Sequence, residues 1–88
     1  MIRLTKHAQE AITKRDIAAV RIENAVSAPD SVEADPRLSD RMRSYKAIPE
    51  LGGRILRVVH RSDGADIIII TAHFDIEEPN GDQDQLRS

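Results

Sequence analysis

Between Arg37 and Arg61 the chain carries seven basic residues (Arg37, Arg41, Arg43, Lys46, Arg54, Arg57 and Arg61) against two acidic ones, Asp40 and Glu50. His60 lies among them, and His73 follows a little further on. Guanidinium and ammonium groups stabilise negative charge developing on a phosphate. An imidazole titrating near neutral pH can take a hydroxyl proton. Together these side chains could bind and cleave a phosphodiester. If Arg54 to Arg61 is a strand, alternation puts Arg57 and Arg61 on one face, and Arg54 and His60 on the other. His60 follows Leu56 and Val58 and reads as a packing histidine on the covered face. His73, at a strand end, is the better acid–base candidate, beside the plainer reading of a surface histidine. Arg57 and Arg61 form either a phosphate-facing stripe or an ordinary solvated strand face.

These residues depend on the stretch from Gly52 to Phe74. Two runs rich in Val and Ile flank Ser62-Asp63-Gly64, the sequence form of a β-hairpin. Ile67 to Ile70 do not alternate with polar residues, so the second strand is expected to be buried on both faces. Upstream, Thr5 can cap a helix over Lys6 to Lys14 with Ala8, Ala11 and Ile12 as its apolar stripe. Asp16 can cap a second helix from Ile17 to Ser27, buried through Ile22, Ala25 and Val26. Pro29 ends it. Ser31 to Ala34 reads as a short strand. Arg41 to Ile48 reads as another, with Met42, Ser44 and Lys46 on one face and Arg43, Tyr45 and Ala47 on the other. Ile2 to Leu4 is either an edge strand or a lead-in. This order predicts an α+β fold, with two N-terminal helices on one face of a three- to four-stranded antiparallel sheet.

With 88 residues and no cysteine, the chain has room for one domain, expected over residues 1–75, and no disulfide or thiolate chemistry. One Phe, one Tyr and no Trp leave the core to aliphatic side chains. Homodimerisation would cover leftover apolar surface. No apolar run is long enough to span a membrane, so no membrane partner and a cytoplasmic location are expected. None of the three histidines has the spacing of a metal-binding helix, and no glycine-rich phosphate loop occurs, so neither metal nor cofactor is expected. From Asp75 to Ser88 five acidic residues (Asp75, Glu77, Glu78, Asp82 and Asp84) meet only Arg87. Residues 76–88 read as an acidic, disordered tail. The formal charge of −2 argues against strong non-specific nucleic-acid affinity. His7, near a helix N-terminus where a cation is disfavoured, is expected to be neutral and bonded to strand backbone as a structural latch.

Lys6-His7-Ala8 with Arg15-Asp16-Ile17, then Val26-x-x-Pro29-x-x-Val32, Gly53-Arg54-x-Leu56-Arg57-Val58-Val59 and Ile70-Thr71-Ala72, carry a family resemblance. Over about residues 3–75 the chain resembles the small bacterial domain of unknown function 4258. Where that family's opening usually places its first arginine, this chain has Ala11. The family is similar in layout to the RelE/ParE and BrnT toxins of toxin–antitoxin pairs. The resemblance implies a RelE-like fold and an RNA endonuclease, with an antitoxin as protein partner and RNA as substrate. On that reading His73, Arg57 and Arg61 are catalytic, and Arg54, Lys46, Arg43 and Arg15 bind RNA. The alternative is a non-catalytic module using the open sheet face to dimerise or hold another protein.

Overall fold

The computed structural model describes residues 1–75, except the side chain of Asp75. The acidic segment expected to form a tail, 76–88, lies outside the described residues. The chain runs β1 (Ile2–Leu4), α1 (Lys6–Arg15), α2 (Ala19–Ser27), β2 (Ser31–Ala34), β3 (Met42–Ile48), a 3-10 turn at Pro49–Leu51, β4 (Arg54–Asp63) and β5 (Asp66–Asp75). The strands form one sheet in the order β1-β5-β4-β3-β2. The fold is α+β as expected, but the sheet has five strands and is mixed, because β1 pairs parallel to β5 while every other pair is antiparallel. Ile2 to Leu4 is an edge strand whose partner arrives more than sixty residues later. Its N-terminal end is secured by Ile67 N donating to Met1 O at 2.8 Å, and Arg3 in its middle reaches Asp66 at 3.1 Å.

The β4–β5 hairpin closes on Gly64 and Ala65, one residue later than the Ser-Asp-Gly signal suggests, with Asp63 opposite Asp66. Gly64 has φ +62°, and glycine alone takes that conformation without a Cβ penalty. Val59 pairs with Thr71 but His60 pairs with Ile69, so β5 holds one extra residue at a bulge around Ile69 and Ile70. Before the bulge, odd-numbered β5 residues face the helices: Ile69 is fully buried and Ile67 packs on the core. After it the even-numbered residues do, since Ala72 is fully buried and Phe74 packs on the core.

The core lies between this face and the helices, built from Ala8, Ile17, Ile22, Ala25, Ile48, Leu56, Val58, Ile69 and Ala72. Each large aliphatic side chain buried there contributes about 1.5–3 kcal/mol. Ala8 and Ala11 are buried as the small-residue stripe requires. Asp16 does not cap α2. It closes α1 in the left-handed region (φ +54°), its N–H donating to Ile12 O and Thr13 O. A short polar residue tolerates that conformation. The second helix therefore starts at Ala19, with Ala18 as a cap offering no side-chain bond. Among the described residues no helix is long and apolar enough to cross a membrane.

Thr5 joins the two layers. Its Oγ1 accepts from Ala8 N at 3.1 Å and donates to Ile69 O at 3.0 Å, with Ile70 O at 3.3 Å, while Thr5 N donates to Ile69 O at 3.1 Å. Thr5→Ala removes the helix cap and the tie to the bulge, and is expected to cost about 1–2 kcal/mol. Urea denaturation would show a lowered midpoint at unchanged slope, largely restored in Thr5→Ser. An alanine variant with the wild-type midpoint would contradict this role.

Candidate functional site

Register places Tyr45, Arg57 and His73 directly opposite one another on β3, β4 and β5, in one row across the open face. Paired residues share a face, and neighbouring strands lie about 4.8 Å apart. The guanidinium carbon of Arg57 is 5.9 Å from the centre of the Tyr45 ring. Arg57 and His73 are both partly exposed. His73 owes its face to the bulge: with strict alternation from Ile69 it would point toward the helices.

At the end of this row, beyond the part of β5 that β1 covers, Arg15, Arg54, His73 and Phe74 line a shallow depression of about 270 Å³. Three elements converge there. α1 ends at Arg15, β4 begins at Arg54, and β5 supplies His73 and Phe74. Arg54 places its guanidinium carbon 4.3 Å from the centre of the Phe74 ring. Arg15 and Arg54 are exposed, and among the described residues neither is in an ion pair. Three of the residues singled out in the sequence (Arg15, Arg54 and His73) thus line one depression although they come from three separate segments, and Arg57 is linked to them through its pairing with His73.

The other candidates lie elsewhere. Arg61 shares the open face with Arg57 but pairs with Ile68, four residues or about 13 Å along β4. Arg43, also on the open face, is held by Asp35 at 3.3 Å and Glu33 at 3.5 Å. Asp35 in turn accepts from the backbone N–H groups of Arg37 (2.8 Å) and Leu38 (3.0 Å), and these bonds, with Arg43, hold its carboxyl below the ordinary value. Lys46 lies on the helix side, where its Nζ donates to Ala28 O at 2.8 Å and ties the end of α2 to β3. His7 is exposed on α1, and the latch expected of it is supplied by Thr5. Two contacts escaped the sequence reading. Tyr45 donates its hydroxyl to Glu33 Oε2 at 2.6 Å, and burial, reinforced by that carboxylate, raises its pKa and keeps it a phenol. Phe74 under Arg54 was the other. Both join residues on different strands, so only the register reveals them.

His60 is the packing histidine its position suggests. It lies on the helix side with Nε2 2.7 Å from Oγ of Ser44, which is 1% exposed. Burial lowers its pKa below 6.5, so the unfolded chain binds the proton more readily than the folded one. The resulting stability is present above pH 6.5 and lost as pH falls toward the lowered folded value. His60→Gln should therefore blunt the acid-side loss of stability, measured by urea midpoints at neutral pH and at about pH 5. Equal pH dependence in variant and wild type would show that His60 titrates alike in both states.

Compared with known protein families, residues 4–74 match the model described as domain of unknown function (DUF4258). No curated protein and no solved structure matches the chain.

Proposed function

The chain belongs to the DUF4258 family, and we propose that it binds and cleaves RNA in the manner of a RelE-like toxin held in check by an antitoxin. The observation that carries this reading is the meeting of Arg57 and His73 in one register row, beside the cations of Arg15 and Arg54. A phosphate seated over Arg57 has its non-bridging oxygens against a guanidinium suited to bidentate contact. His73 then takes the proton of the adjacent ribose 2′-hydroxyl as that oxygen attacks phosphorus. The bond to the 5′-oxygen breaks, the leaving oxygen takes a proton from solvent, and a 2′,3′-cyclic phosphate remains. Arg15 and Arg54 hold one neighbouring stretch of the strand, and Arg61 meets a phosphate further along in the other direction.

The test is cleavage of RNA, free and ribosome-bound, by purified protein. His73→Ala and Arg57→Ala are each expected to lower the rate by about 100-fold or more. Arg61→Ala, one contact removed from the reacting atoms, should change it by less than about tenfold. Cleavage undiminished in both the Arg57 and His73 variants would refute the assignment.

The second reading is a non-catalytic binding module, and β2 favours it. All four β2 residues are exposed, Val32 is 47% exposed, and among the described residues the outer edge of β2 has no partner strand. Such an edge can accept a strand from a second copy or from another protein. Light scattering that finds a dimer, made monomeric by Val32→Lys, would support this reading. A monomer that cleaves RNA would dismiss it.

A further inference from the structure

We propose that Arg54, backed by Phe74, is a stacking platform for one unpaired base, so that the site takes single-stranded RNA rather than duplex. The inference rests on the RNA reading above and specifies the form of RNA it concerns. Arg54 is exposed, yet its guanidinium does not reach a carboxylate among the described residues; it sits over the Phe74 ring. A guanidinium is planar and weakly hydrated, and stacking on an aromatic ring leaves its other face for a second planar partner. The ring itself is fixed, because Phe74 packs against the core cluster from below. The platform shares its depression with Arg15 and His73, and His73 pairs with Arg57. One nucleotide can therefore lay its base on Arg54 while a flanking phosphate meets the cations beside His73. In an A-form duplex both faces of an internal base are already stacked, so no base face is available to the platform.

Binding of fluorescent RNA oligomers, followed by anisotropy, tests this without relying on cleavage. A short single strand is compared with the same sequence as a blunt duplex and with strands carrying one abasic site at each position in turn. Wild type is expected to prefer the single strand, and one abasic position should weaken binding about tenfold while leaving every phosphate in place. Arg54→Lys keeps the charge and loses the plane, so it should weaken the intact strand and abolish the abasic penalty. Circular dichroism of that exposed-site variant would verify its fold. If duplex binds as well as single strand, or no abasic site matters, while Arg57→Ala still weakens binding, the platform is refuted and the phosphate site stands. If no RNA form binds wild type, both fall together.

Discussion

The hydroxyl of Thr5 couples the first helix to the sheet. The Oγ1 of Thr5 closes the first turn of α1 by accepting from Ala8 and donates to the β5 carbonyls at the bulge, Ile69 and Ile70. Because α1 starts there, it runs beside the second half of β5 and delivers Arg15 to the depression that His73 and Phe74 line. The bulge has an equally direct consequence. It shifts the alternation of β5 by one residue, turning Phe74 toward the core and His73 toward the face that carries Arg57. Bulges bend strands and re-aim side chains, and this one decides which side of the sheet the histidine occupies.

Charge is distributed unevenly between the β2 side of the open face and the depression at the end of β5. Toward β2, Arg43 is balanced by Glu33 and Asp35, and the phenol of Tyr45 is committed to Glu33. Toward the end of β5, Arg54 and Arg15 stand without an ion pair among the described residues. Opposite charges within contact neutralise one another locally, and exposed charges are screened within about 8 Å at physiological salt. The row from Tyr45 to His73 thus runs from a compensated side to a cationic one, which locates the attraction for an anion near β5. A chain with net charge −2 can still offer such a patch, because screening makes local balance count for more than the total.

Features depending on neighbours in the chain were legible in the sequence. Thr5 as a cap, the alanine stripe of α1, the alternation of β3 and β4, the short strand at Ser31 and the hairpin all follow from local spacing. What depended on distant partners was not. Three residues at Ile2–Leu4 carry too little pattern to announce a parallel pairing with Ile67–Ile69. The role of Asp16 is ambiguous in the sequence because aspartate serves both as an N-cap and as a left-handed helix terminator, and the residues between α1 and α2 fit either. Lys46 illustrates a third limit. Alternation gives its parity, but not that a lysine on this face extends along it and binds a helix-end carbonyl with its ammonium.

The use of aromatic residues ties the architecture to the site. The chain has one Phe and one Tyr, and the largest fully buried side chains are Ile22, Leu56, Ile69 and Val58. An aliphatic core of this kind closes without an aromatic ring at its centre, and Ala8, Ala25 and Ala72 let helices and sheet approach closely enough to fill it. Neither ring sits in the fully buried centre, and each stands next to a guanidinium: Phe74, packed on the core at the end of β5, lies beneath Arg54, and Tyr45, on the open face, lies beside Arg57. The packing of the small core and the chemistry of the open face are in this way consequences of one distribution of side chains along β3, β4 and β5.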